Sequence, residues 1–405
     1  SDVLSYLFNK SSETFTDIGG FYVILGTDVV INGATFTGFN SKVINSSHVN
    51  ITNAFSSAST IPINITNSFN ISIFNFTTNN TQFVSDRYGI NLFDVNNTTI
   101  YDSYFGNISY GVFAKSSNNL SVINNRFVDG ELAIQLGSTI LNNNITNFSS
   151  KTVNSQSYVI GPRSNSLVSG NVVQSSCYND TDGFVVYLSG NNHEIVNNLF
   201  NNTLVGDFCT GVRVSSGSNL INISYNNFSH FEDGVLLGEG NVNVSNNIFD
   251  DCDEGVVFNT NFNIFTNNIF KNGVTGVSMS QCNNNYFNNN TYANNNISFK
   301  IDSNAGTSIN NMSNEKFYNS SSAIFTDQIN FGNIFFVSEN VDNLFFNPTF
   351  EGNTLDLNQS ATAGVETTYI VNATGFNQSK ISVGATRKTF LQWYVDVNVS
   401  NSTGE

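Results

Sequence analysis

The chain has 405 residues, 39% hydrophobic and 13% aromatic, which is enough apolar material for a core and excludes a disordered polymer. Only 11% are charged, and the 14 basic residues are outnumbered to a net charge of -16, which excludes a nucleic-acid partner because that needs clustered Lys and Arg. No stretch approaches the roughly 18 uninterrupted apolar residues of a membrane-spanning helix, and the opening residues lack the basic and apolar regions of a signal peptide.

From the amino terminus onward one phrase returns about every 21 to 28 residues, a period that identifies a solenoid. Its first half is a small residue before an alternating apolar run, as in Gly89-Ile90-Asn91-Leu92, Gly111-Val112-Phe113, Gly183-Phe184-Val185, Gly211-Val212, Gly234-Val235-Leu236-Leu237, Gly255-Val256 and Gly276-Val277. Its second half is an Asn pair closing on an aromatic: Asn124-Asn125-Arg126-Phe127, Asn197-Asn198-Leu199-Phe200, Asn246-Asn247-Ile248-Phe249, Asn267-Asn268-Ile269-Phe270 and Asn289-Asn290-Thr291-Tyr292. Starts fall at Gly20, Ser41, Pro62, Gly89, Gly111, Ala133, Tyr158, Gly183, Gly211, Gly234, Gly255, Gly276 and Ser298. Between them the apolar runs are short, β-branched or aromatic, and bounded by Asn, Ser and Gly, so each coil offers two or three strands and no helix. The fold class is all-β, a right-handed parallel β-helix of about 13 coils. A leucine-rich repeat has a similar period, but its Leu-x-x-Leu-x-Leu consensus is missing.

A lone coil cannot bury its faces, so neighbours must stack. Asn125, Asn198, Asn227, Asn247, Asn268 and Asn290 lie at one offset, where amides can bond along the axis and Asn tolerates a left-handed turn. Phe36, Phe55, Phe76, Phe105, Phe127, Phe200, Phe228, Phe249, Phe270 and Tyr292 follow at similar offsets and read as an internal column. Residues 1–318 are the β-helix with its N-terminal cap. From about Ile301 the phrase decays, and residues 319–405 read as terminal coils or a cap leading into β-sandwich-like strands that continue beyond residue 405. Those strands include Tyr369-Ile370-Val371, Lys380-Ile381-Ser382-Val383 and the run from Thr389 to Val399.

About 27 Asn-X-Ser/Thr triplets occur against about 15 expected by chance, which points to N-glycosylation of an exported protein. The candidate acceptors are Asn45, Asn50, Asn64, Asn70, Asn75, Asn107, Asn119, Asn144, Asn179, Asn222, Asn243, Asn296, Asn319, Asn358, Asn372 and Asn377. Many triplets put Asn and hydroxyl on one strand face and an apolar residue on the other. Cys177 and Cys209 precede neighbouring starts and are the disulfide candidate, whereas Cys252 and Cys282 read equally as buried thiols.

Asp250, Asp251, Asp253 and Glu254 precede a coil start, and carboxylates stacked at coil spacing suit a structural Ca²⁺, although solvated turn residues are the plainer reading. No other cofactor is expected. A glycosidase needs two carboxylates across a cleft, which remains open. A lyase needs clustered basic residues, and Arg87, Arg126, Arg163 and Arg213 stand apart. His48, His193 and His230 fall at unrelated places in the repeat and form no metal or triad pattern.

The Gly-Val-x-Leu and Asn-Asn-x-Phe phrases resemble the parallel β-helix repeats of copper-binding and carbohydrate-binding repeat families, and especially the Asn-rich adhesin-like surface proteins of archaea. The resemblance covers about residues 20 to 300 and implies a β-helix followed by immunoglobulin-like domains, with no catalytic residues to transfer. The resulting expectation is a glycosylated extracellular structural or adhesin-like protein of a cell surface, in an envelope layer or filament. It would self-assemble or meet neighbouring surface proteins, carry covalent N-glycans and meet carbohydrate. A polysaccharide-binding or polysaccharide-cleaving enzyme and a viral fibre or spike are the alternatives.

Overall fold

A computed structural model describes residues 4–8, 14–16, 20–37, 40–57, 59–79, 87–135, 137–149, 151–153, 156–162, 164–176, 183–203, 209–280, 282–303, 310–328, 343–359, 367–383 and 388–393. Nearly every element is a strand, and parallel strands wind into a β-solenoid of about 13 turns, as expected. Two compact units divide the chain, Ser1–Val257 and Phe258–Glu405.

In the first unit a coil carries three strands, for example Ser41–Ile44, Ser47–Thr52 and Phe55–Ser57. Each pairs in parallel with its counterpart one coil on, Lys42 with Asn64 and Asn50 with Ser72. Two residues join consecutive strands. The first is left-handed, Asn45 at φ 49 and Asn53 at φ 52, and the second is small and buried, Ser46 and Ala54. Asn suits the first position because its short polar side chain lowers the steric penalty of that backbone. Strand alternation then sends Val43, Val49 and Ile51 into the core with no exposure.

The same division explains the Asn pair. Its first member is the left-handed residue, as at Asn124, Asn197 and Asn246, and its second turns inward. Asn125, Asn143, Asn171, Asn198, Asn226 and Asn247 form a continuous ladder. The backbone N–H and the side-chain Nδ2 of each donate to Oδ1 of the next at 2.9–3.1 Å. The remaining Nδ2 hydrogen goes to a backbone carbonyl, that of Val122 for Asn143 and of Val168 for Asn198, so these buried amides are satisfied. Ser103 extends the ladder upstream, accepting from the Phe76 N–H and donating its own to Asn125. Asn226 takes the place expected of Asn227, because Tyr225 supplies the left-handed residue in that coil.

The aromatic column is real where the phrase is intact. Ring centroids stand 4.7 Å apart for Phe105 and Phe127, 5.3 Å for Phe200 and Phe228, and 5.0 Å for Phe228 and Phe249. Phe55 is not part of it. It is 40% exposed, and Ser56 takes the inward position one residue on. The Phe36 side chain lies outside the described residues. The corner glycines line up: a Cβ on Gly111 would meet the Ala133 carbonyl oxygen at 2.5 Å, one on Gly211 that of Gly234, and one on Gly234 that of Gly255. Three starts shift against the expectation. Pairing of Lys42 with Asn64 puts Asn40, not Ser41, in line with Pro62. Pairing of Ile134 with Ile160 puts Val159, not Tyr158, at the corner, and pairing of Gly183 with Cys209 leaves Val185 opposite Gly211.

In the second unit, Thr275–Ser280 pairs with Ile297–Ser303, then Ser322–Gln328, Leu355–Gln359 and Ile381–Val383 follow in parallel order. Phe270, Tyr292, Phe317 and Phe350 stack at 5.0–5.3 Å. Parallel pairing also joins Asn343–Phe346 to Thr367–Val371 and that strand to Lys388–Gln392. Solenoid strands therefore stand where sandwich-like ones were expected, since period-two alternation marks any half-buried strand whichever sheet it joins. The rest of the expected immunoglobulin-like opening, from Tyr394 on, lies outside the described residues.

Candidate functional site

From Gly89 to Gly255 the residue directly before each corner lies on the outer side of the sheet, and these residues share one column. Tyr88 is in register with Tyr110 and Leu132. Tyr158, Phe184, Thr210 and Asp233 follow, again in register, and Glu254 comes next, its N–H donating to the Glu232 carbonyl. Tyr110, Leu132, Tyr158 and Phe184 form a cluster separate from the main core, with Tyr88, Phe113 and Tyr187 half-buried against it. Tyr88 and Tyr110 stack at 4.5 Å, Phe113 meets both edge-on at 5.2 and 5.3 Å, and Tyr187 packs on Tyr158 and Phe184 at 5.8 and 5.7 Å.

Polar groups are set among the rings. Gln135 is 7% exposed, its side chain reaches the Tyr158 hydroxyl, and its Oε1 has no hydrogen-bond partner among the described residues. Burial pushes the Tyr158 hydroxyl up to about 12, against the pull of Gln135. Further along the column Asp233 is raised to about 7, first by burial, then by Glu254 and Glu232, with Arg213 opposing. A column of buried rings, with Tyr88, Phe113 and Tyr187 half-buried along its margin, thus leads through Thr210 to a carboxyl raised to about 7. The strip escaped sequence reading because its members differ in type. Its signal was position, one residue ahead of each corner.

The sites read from sequence are placed as follows. Ile51, Ile65, Ile71 and Val244 of the acceptor triplets point inward, as expected. Asn45, Asn50, Asn75, Asn119, Asn144, Asn296, Asn319, Asn372 and Asn377 are exposed, whereas Asn64, Asn70, Asn107, Asn222, Asn243 and Asn358 are half-buried. Some of these amides already bond between coils, Asn75 to Asn53, Asn119 to Asn97 and Asn243 to Asn222. Asn179 and Cys177 lie outside the described residues. Cys209 is disulfide-bonded, and Cys252 and Cys282 are buried free thiols held up to about 12 by burial.

Asp250, Asp251, Asp253 and Glu254 do not converge. Asp251 takes the left-handed turn position and Cys252 turns inward between the carboxylates, so the chain fans them apart. Among the described residues no three His, Cys, Asp or Glu side chains are grouped as metal ligands. His230 meets Asp251 at 3.6 Å, and His48 meets Asp28 at 3.8 Å. His193 is buried, its Nδ1 2.7 Å from the Ser166 hydroxyl and its Nε2 3.2 Å from the Ser189 carbonyl. Burial holds its pKa below the usual histidine value.

No family model and no curated protein matches the chain. Among solved structures it is similar to PfbA, a surface adhesin of Streptococcus pneumoniae, at 12% identity over 80% of this chain and 83% of that one, with a TM-score of 0.41. It is also similar to the tailspike of E. coli bacteriophage HK620 in complex with a pentasaccharide, at 11% identity over 96% and 72%, TM-score 0.38. A double mutant of the periplasmic alginate epimerase AlgG matches at 12% identity over 94% and 77%, TM-score 0.33.

Proposed function

We propose that this chain is an extracellular, adhesin-like structural protein, N-glycosylated on its outer strand faces, whose first unit holds carbohydrate along the outer strip. The observation that carries the reading is the strip itself. Aromatic rings offer apolar surface to the C–H faces of sugars, and Tyr88, Phe113 and Tyr187 are the half-buried rings that present it. The resemblance of its repeat phrases to those of archaeal surface proteins favours a place in an envelope layer or filament.

Affinity electrophoresis through gels containing neutral or acidic polysaccharides tests it. At least one polymer should retard the protein, and Tyr187→Ala should weaken that retardation about tenfold without altering migration in an empty gel. Equal retardation of the variant, or none of the wild type by any polymer, would refute the strip as a carbohydrate site. Asp233 favours a second reading, glycoside cleavage with Asp233 as the acid and Glu254 as the carboxylate partner, because a carboxyl held near neutrality retains a proton to donate. Release of new reducing ends by wild type and not by Asp233→Asn would select that reading.

A further inference from the structure

The second unit has its own amide ladder, and it ends on a different residue. The Asn268 N–H and Nδ2 both donate to Asn290 Oδ1, at 2.9 and 3.0 Å. One coil further the Asn290 N–H and Nδ2 donate in the same way to Oε1 of Glu315, at 3.3 and 3.2 Å. Glu315 follows the left-handed Asn314 as a ladder Asn would, and it is fully buried. Its other oxygen, Oε2, has no hydrogen-bond partner among the described residues, nor has the buried hydroxyl of Tyr292, the side chain that faces it from the preceding coil. Lys316 pairs with Thr349, which sets Pro348 in line with Glu315 and ends the ladder, because Pro348 has neither an N–H nor a polar side chain.

We propose that Glu315 is a proton-dependent lock: the coils of the second unit stay bound through it while its carboxyl is neutral and loosen when the proton leaves. A neutral acid accepts from Asn290 on one oxygen and directs its own O–H to the Tyr292 hydroxyl oxygen. An ionised one leaves a buried negative charge whose nearest cation, the Lys316 ammonium, is turned to the surface and bonded to Asn289 Oδ1 at 3.1 Å. Tyr292 and Lys316 are the titratable groups that face it, and Pro348 and Thr349 in the following coil add none.

Burial raises the Glu315 carboxyl to about 8, against the hydrogen bonds from Asn290, the facing Tyr292 hydroxyl and the charge of Lys316. An unfolded Glu titrates near 4.3. Between those values the folded unit keeps a proton that the unfolded chain releases. The stabilisation is complete below about pH 4.3, falls about tenfold in the folding constant per pH unit, and is spent above about pH 8.

Hydrogen exchange of the intact chain, read by mass spectrometry on peptides spanning residues 286–318 and corrected for chemical exchange, tests this from pH 5 to 8. Protection should fall close to tenfold per pH unit in the wild type and stay level in Glu315→Gln, which keeps the acceptor and cannot ionise. Equal slopes in the two proteins, or no slope in the wild type, would overturn the proposal. If Glu315→Gln fails to fold, Glu315→Asn, the residue the ladder uses elsewhere, provides the same comparison. This outcome is independent of any carbohydrate binding by the first unit.

Discussion

Replacing Gly234 by alanine asks whether the columns carry the fold. The added methyl carbon would stand 2.5 Å from Cδ1 of Phe249 and 2.6 Å from the Gly255 carbonyl oxygen, about 1 Å inside ordinary contact. Neither neighbour has room to retreat. The Phe249 ring is 1% exposed and stacked on Phe228, and the oxygen belongs to the backbone of the next coil. Overpacking costs about 1–3 kcal/mol, and a backbone partner that no rotamer change can move puts this site at the upper end, about 3 kcal/mol. Gly217→Ala is the control, since nothing lies within 4 Å of its added carbon and only the left-handed backbone at φ 80 penalises it, by about 1–2 kcal/mol. Urea unfolding followed by circular dichroism, at unchanged m, measures both variants. A Gly234→Ala midpoint within about 0.5 kcal/mol of wild type would show that the coils do not meet as closely as the columns require.

Asn198→Ala removes the acceptor of the Asn171 N–H and Nδ2 and the Nδ2 that donates to Asn226 Oδ1 and the Val168 carbonyl, so a loss of about 3 kcal/mol is expected in the same assay. Asn198→Ser should cost less, because Ser103 already fills an equivalent place. Asp233 should make the first unit less stable as pH rises, since its folded value of about 7 lies above the roughly 3.9 of an unfolded Asp. Its share of stability is whole below about pH 3.9 and gone above about pH 7. Thermal unfolding across that range should show the decline in wild type and a flatter profile in Asp233→Asn.

The period, the strands and the stacked Asn were legible because each coil repeats one local solution, a left-handed Asn and then an inward amide. Reading failed where one half of the phrase was replaced. Asn143 and Asn171 belong to the ladder, but Ile145 and Val173 stand where the aromatic should be. Phe55 carried the right residue type in the wrong phase, and a shift of one residue in a strand reverses the face. The outer strip was hidden for a physical reason. Outward side chains do not have to match a core, so Tyr88, Phe184, Thr210 and Asp233 share a place without sharing a chemistry. Glu315 could be named only once its burial was known, because a Glu after Asn in a polar stretch looks solvated.

Between Asn125 and Asn226 the spacing of ladder residues ranges from 18 to 28, yet every bond from a backbone N–H to the next Oδ1 measures 2.9 Å. The surplus sequence falls between Ser149 and Gln156, between Ser176 and Gly183 and between Asn202 and Cys209, each time just ahead of the strip. The amides act as a ruler that resets once per turn, so length gained or lost at that edge is not passed on to the following coil. Selection, or an engineer, can therefore rewrite the border of this surface by splicing in new segments while the scaffold beneath keeps its register.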